Sequence, residues 1–250
     1  MNLKKILSAI IAGTMVAGVM NFNVMAAENV AAVDGVEYAT LQEALKAVKA
    51  DSVVSILEDI TITEGWDNRF TGGKITVPVT IKGNDNIIKF ACDIQDGGNY
   101  CAAFRFESDA TLYDLTIDMS EASNSKATRV RAISTKAGDI VIDNCTFIGS
   151  DTIANSRGVI IGEGAGAATA DVDVTITNSE FTNWRRGISD NENAQNLNSI
   201  VISDNEFENA SINVSASESI TLTGNTMTDS WVTLTDYGKE PTVAIVGSLP

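Results

Sequence analysis

The sequence predicts an all-β chain wound as a parallel β-helix of about seven coils, with a capping α-helix at its N-terminal side. Three observations carry this reading. A short pattern recurs: an apolar-x-apolar strand, a polar turn holding Asn or Asp, then an apolar residue five positions past a reference residue. Every copy runs with the same polarity, as a stack of parallel strands requires. Finally, the reference residues Ile81, Leu112, Ile142, Ile176, Ile202 and Leu222 are separated by roughly 20 to 34 residues. Loops of a β-helix absorb that variation, whereas the rival fold, a sandwich of two antiparallel sheets, gives no reason for a one-way order to repeat.

In chain order, Met1 to Met25 reads as a secretory signal: Lys4 and Lys5, an apolar run from Ile6 to Met20, then the small-x-small site Val24-Met25-Ala26. Residues 1–26 are assigned to it, and the short run favours cleavage over a membrane anchor. Residues 27–52 form an N-terminal hairpin and capping helix. Val30 to Val33 and Val36 to Tyr38 flank an Asp34-Gly35 turn. Thr40 with Glu43 matches a capping-box start, and Leu41, Ala44, Leu45 and Val48 share one helix face. Residues 53–250 form the β-helix, beginning with Val53 to Leu57 and Ile60 to Ile62. The clearest repeats are Ile140 to Phe147, Val174 to Phe181, Ile200 to Phe207 and Ile220 to Met227, with a looser copy at Ala110 to Ile117. Stacking them makes one internal column of Ile117, Phe147, Phe181, Phe207 and Met227. It also stacks Asn144, Asn178, Asp204, Asn205 and Asn225 at one turn. Those side chains satisfy turn backbone and tolerate left-handed conformations. Calcium at the same turns is the alternative, with weak charge to support it. Thr242 to Val246 is read as the end of the stack.

Composition limits the chemistry. There are 33 acidic side chains against 17 Lys plus Arg and no histidine. Without Lys4 and Lys5 the net charge moves from −16 to about −18. Such a chain lacks the cations that displace counterions from nucleic acid, and it is unsuited to anionic lipid. Absence of histidine excludes Ser-His-Asp and Cys-His catalysis and His-ligated zinc. Hydrophobic content of 44% supports a packed core rather than disorder. Cys92, Cys101 and Cys145 are an odd set. Cys92 and Cys101 flank a turn-rich excursion that a disulfide could close, while Cys145 sits inside a repeat as a small apolar residue. No second long apolar segment follows the signal, so the mature chain is expected to be extracellular, secreted or cell-surface, with no membrane insertion.

The apolar-x-apolar-x-Asn turn followed by Phe resembles the right-handed parallel β-helix of the pectin-lyase-like superfamily. Val33 to Ala44 is similar to the opening of many bacterial secreted and cell-surface β-helix proteins. The resemblance covers about Val30 to Tyr237 and implies the fold. It leaves activity open, because that superfamily holds lyases, hydrolases, esterases and non-catalytic adhesins. The Gly-His-Gly motif of the polygalacturonase-like hydrolases is missing here.

Candidate site residues are few. Arg131, Arg157 and Arg186 each stand just before a short apolar strand in consecutive coils, so alignment would place them about 5 Å apart along the axis. Arg129 and Arg185 add charge, and Asp151, Asp190 and Glu192 lie nearby in sequence. One reading is a groove gripping the carboxylates of an acidic saccharide, with Arg157 or Arg186 as a low-ranked catalytic base. The plainer reading is a ladder of arginines paired with the chain's own acids. Trp184 and Trp231, with Tyr237 after it, are candidate sugar platforms or edge aromatics covering the core. Trp66 is read as a loop anchor. The expected partner is an extracellular polysaccharide or a host or cell-surface glycan. The leading reading is non-catalytic adhesion or glycan contact, and the second is a small polysaccharide lyase. No cofactor is expected.

Overall fold

The computed structural model describes residues 29–64, 66, 73–94, 102–123, 129–150, 153, 155–163, 172–190, 197–214, 217–234 and 242–246. Residues 1–26, read above as a secretory signal, and Cys101 lie outside them. The described residues form an all-β parallel solenoid with one short helix. Among the described residues no helix is long and apolar enough to cross a membrane.

Strands β1 (Ala31–Val33) and β2 (Val36–Tyr38) make the expected hairpin, with Asp34 and Gly35 both at positive φ in its turn. Helix α1 (Leu41–Ala47) follows, its N-cap Thr40 accepting a hydrogen bond from the Glu43 backbone N–H at 3.2 Å. Leu41, Ala44 and Leu45 turn into the core. On its other side β1 runs antiparallel to β3 (Ser52–Ile56), so the hairpin occupies an edge that another chain could otherwise extend. The Asp34 carboxylate ties this seal together by accepting from the Val53 N–H and the Ser52 hydroxyl, both at 2.8 Å. Those two bonds hold its pKa below the usual value.

From β3 onward every pairing is parallel. The first sheet stacks β3, the start of β6 (Val79–Phe90), the start of β8 (Ala110–Asp118), β10 (Ile140–Asp143), β13 (Val172–Thr177), β15 (Leu197–Ser203), β17 (Ser217–Thr223) and β20 (Thr242–Val246). The second stacks β4 (Ile60–Ile62), the ends of β6 and β8, β11 (Thr146–Ile148), the starts of β14 (Glu180–Asp190) and β16 (Glu206–Val214), and β18 (Thr226–Thr228). The third stacks β5 (Lys74–Ile75), β7 (Ala102–Phe106), β9 (Arg129–Thr135), β12 (Asn155–Ile161), the ends of β14 and β16, and β19 (Val232–Leu234). The sequence counts about seven coils. About five turns are complete, because the strands of the first and last passes are abbreviated.

Register follows the reading of the repeats. Val54, Ile81, Leu112, Ile142, Ile176, Ile202, Leu222 and Ile245 fall in one column of the first sheet. Ile117, Phe147, Phe181, Phe207 and Met227 fall in one column of the second. The Phe147 and Phe181 rings stack at 4.8 Å and those of Phe181 and Phe207 at 5.0 Å, close to the strand spacing itself. Between the sheets sits a left-handed corner: Asp114, Asn144, Asn178, Asp204 and Gly224 all have φ between 51° and 66°. These are the residue types that tolerate that conformation, which explains why the turn is written in Asn, Asp and Gly.

One position further on, a polar ladder runs down the axis inside the corner. Cys145 N–H donates to the Ser179 hydroxyl, Ser179 N–H to Asn205 Oδ1, and Asn205 N–H to Asn225 Oδ1. The Asn205 and Asn225 amides donate back to the Ile176 and Ile202 carbonyls. Buried turn backbone is therefore satisfied without water. The C-terminal side contrasts with the sealed start: Val243 and Ile245 continue core columns but are 39% and 44% exposed.

Candidate functional site

The arginine column exists. Arg131 pairs in register with Arg157, and Arg157 with Arg186, on adjacent strands of the third sheet. Of the chain's seven arginines, six belong to strands of this sheet: Arg105, Arg129, Arg131, Arg157, Arg185 and Arg186. A chain of net charge −16 thus carries most of its arginines on the strands of one sheet.

Its members are not equivalent. Arg131 was expected on a groove surface but is only 1% exposed. Its Nε and Nη2 donate to Glu163 Oε1 at 3.3 and 3.2 Å, and its Nη1 donates to the Asn155 and Val130 carbonyls. Ser134 donates to the other Glu163 oxygen at 3.0 Å. A buried carboxylate and guanidinium that satisfy one another are committed to structure, which is the plainer reading made concrete at this residue. Arg157 is half-buried and donates from Nη1 to the Ser189 hydroxyl at 3.3 Å. Arg186 is half-buried and Arg185 exposed, and no described carboxylate forms an ion pair with Arg186. Asp190 stands in register with the core residue Ile161 and is 4% exposed, so it presents no surface charge. Asp151 and Glu192 lie outside the described residues.

The tryptophans divide. Trp184 is 1% exposed and donates from Nε1 to the Phe147 carbonyl at 3.0 Å, so it covers the core and offers no face to a sugar. Trp66 is likewise buried, donating to the Ala103 carbonyl and meeting Phe90 edge-on at 5.1 Å, as the anchor reading expects. Trp231 is 63% exposed and keeps its indole available. Tyr237 lies outside the described residues.

Reading the sequence alone missed a second cationic group on the same sheet. Lys74 of β5 and Arg105 of β7 are in register. Glu107, just past β7, receives Lys74 Nζ at 3.2 Å, Arg105 Nε at 3.2 Å and, more remotely, Lys136 Nζ at 4.0 Å. Burial pushes the Glu107 carboxyl up, but the three cations outweigh that and hold it below the usual range. No motif marks this cluster. Its members are about 30 residues apart and converge only once the coil register is known.

Cys92 and Cys145 are buried and not disulfide-bonded. Burial pushes the Cys145 thiol up to about 12, far from a nucleophilic state. Among the described residues no group of His, Cys, Asp or Glu side chains is placed to hold a metal ion. A cleft of about 300 Å³ between the start of α1 and β4 is lined by Thr40, Gln42, Asp59, Thr61, Thr63 and Glu64 beside apolar residues. It has no cation and no aromatic ring. In comparisons with known proteins the chain matches no family model, no curated protein and no solved structure.

Proposed function

We propose that this chain is a secreted or cell-surface β-helix protein that contacts an acidic glycan through its third sheet and does not cleave it. The single observation that carries the proposal is the register of Arg157 and Arg186 on adjacent strands, with Arg185 beside them, in a strongly acidic chain. Guanidinium groups a strand spacing apart repel one another, and an anion lying along them offsets that cost while accepting paired hydrogen bonds. Exposed Trp231 adds an apolar platform. The signal-like start supports export. The repeat pattern, together with the parallel solenoid, supports membership of the right-handed pectin-lyase-like group.

A lyase is the weaker reading on chemical grounds. Arginine keeps its proton to above about pH 12, so it serves as a base only where its charged form is made costly. Arg157 donates a hydrogen bond to the Ser189 hydroxyl and Arg131 donates to the Glu163 carboxylate, so both act as hydrogen-bond donors.

The test is a glycan array probed with the chain after signal removal, run beside an absorbance assay for unsaturated uronates on any acidic polysaccharide that binds. Binding without product, weakened in Arg186→Ala, is the expected result. Product that disappears in Arg186→Ala would make the chain a lyase. No binding to any acidic glycan would end the proposal.

A further inference from the structure

We infer that β20 is a self-association edge, where two copies of this chain join end to end about a two-fold axis at Ala244. The inference is independent of the glycan reading, because it uses the edge of the first sheet and none of the arginines.

The observation behind it is where apolar surface is left uncovered. Nine large hydrophobic residues are exposed among the described residues, and five of them, Trp231, Leu234, Val243, Ile245 and Val246, lie on or beside β19 and β20. Among the described residues β20 pairs with β17 on one side and with no strand on the other. Val243 and Ile245 stand in register with the core residues Ile220 and Leu222 but are 39% and 44% exposed, so a core face ends in the open. None of the usual blocks on an edge is present in β20: it has no charged residue, no proline and no register shift. The opposite end is closed. There β1 covers β3, and the outermost strand, β2, is three residues long with exposed Glu37 at its centre. A head-to-tail stack therefore finds no matching edge, and a second copy covers the apolar end only tail to tail.

The register of β20 suits that arrangement. Val246 points its carbonyl at β17, accepting from the Gly224 N–H at 3.1 Å. Backbone groups alternate in direction along a strand, so Thr242 and Ala244 face β17 as well. The N–H and C=O of Val243 and Ile245 then face the open side. A two-fold axis at Ala244 sets Val243 opposite Ile245 of the second copy, and Ile245 opposite its Val243. Both are hydrogen-bonded antiparallel pairs, and every outward-facing donor and acceptor of the two strands finds a partner. The side-chain faces agree too. Val243 and Ile245 stay on the core side, while Thr242 meets Val246 on the outer side. With no ionised side chain in the strand, the pairing sets no like charges opposite one another, although the chain carries a net charge of −16. A rung whose strands run about five residues is roughly 17 Å on a side, so two apposed ends hide on the order of 1,000 Å² in total. That area belongs to weak, reversible association.

The experiment follows the mass of the signal-free chain by sedimentation over rising protein concentration. A monomer–dimer equilibrium is expected, with no larger species. Ile245→Pro removes a donor that faces the open side and spares the bonds to β17. The two-fold counts that loss twice, so the dimer should weaken at least tenfold. Ala244 is exposed and lies at the axis. Ala244→Asp and Ala244→Lys each set like charges opposite one another, and each variant alone should associate at least tenfold more weakly than the parent. Mixing the two should restore a dimer of mixed composition, a gain that misfolded variants cannot give. A chain that stays monomeric overturns the inference and leaves the edge to another occupant. A dimer that ignores Ile245→Pro and the charges at Ala244 uses a different surface and overturns it as well. Open-ended oligomers overturn the two-fold, and failure of the Asp and Lys variants to pair with each other overturns the register.

Discussion

Replacing Phe181 by alanine should be among the most damaging single changes in the protein. The ring is fully buried and stacked on both faces, 4.8 Å from Phe147 and 5.0 Å from Phe207, with interplanar angles of 13° and 6°. A buried Phe→Ala change costs about 3–5 kcal/mol, the upper end applying where the surroundings cannot close in. They cannot here. The wall beside the rings is glycine backbone, and a Cβ on Gly158 or Gly187 would already meet Phe181 Cδ1 at 2.9 Å or Phe207 Cδ1 at 3.0 Å. That wall belongs to hydrogen-bonded strands on both sides and has no side chain to swing into a void. The two ring contacts, worth about 0.5–1.5 kcal/mol each, place the change at that upper end. The expected loss is about 5 kcal/mol, a large part of what holds a typical domain together. Urea unfolding followed by circular dichroism measures it. Phe207→Ala keeps a Met227 neighbour in place of a second ring and should cost about 1 kcal/mol less. A double-mutant cycle between Phe147 and Phe181 should return a coupling of about 1 kcal/mol. A Phe181→Ala cost below about 2 kcal/mol, or a coupling near zero, would refute the claim that the ring column is a rigid stack that cannot relax.

Arg131→Ala should destabilise by about 3–5 kcal/mol, because it strands the buried Glu163 carboxylate, whereas Arg186→Ala should change the urea midpoint little. Asn205→Ala removes the acceptor of the Ser179 N–H and the donor to the Ile176 carbonyl; about 2–4 kcal/mol is expected from two buried groups left without partners, and Asn205→Asp, which keeps only the acceptor, should fall between. Because the folded Glu107 carboxyl titrates below its ordinary 4.5, its contribution to stability is complete above that pH and fades as pH falls through the lowered folded value. Glu107→Gln should flatten that part of a melting-temperature-against-pH curve, and an unchanged slope would refute the assignment. With a folded pKa of about 12, the Cys145 thiol should resist a thiol reagent at mildly alkaline pH until the chain unfolds, so labelling faster than unfolding would show the burial to be wrong.

The repeats were legible because each physical demand leaves one mark per coil. Ile142, Ile176 and Ile202 had to be apolar to stack, and Asn144, Asn178 and Asp204 had to bear positive φ; both constraints are local and recur in fixed order. The N-terminal hairpin and helix were legible for the same reason, since an Asp-Gly turn and a Thr cap act within a few residues. Which side of the third sheet is accessible was not legible. Arg131 and Arg186 look alike in sequence, and only the Glu163 carboxylate, in the next coil at Gly162-Glu163, separates a structural arginine from an available one. Trp184 reads as a platform until its indole N–H is found on the Phe147 carbonyl. The cluster at Glu107 was invisible because its charges come from three coils, and no coil alone shows an excess.

Coil lengths differ widely, yet from Leu112 to Met227 the left-handed corner falls the same distance after the first-sheet reference residue and the same distance before the second-sheet column. Length variation is thereby pushed into the other two bends, and the internal columns stay in phase whatever is added there. The fold behaves as a set of cassettes clamped at one hinge point, so lineages can lengthen, shorten or swap surface excursions without retuning the interior. Duplicating a whole cassette would extend the barrel by one rung, and with it any stripe of charge carried on its outer wall.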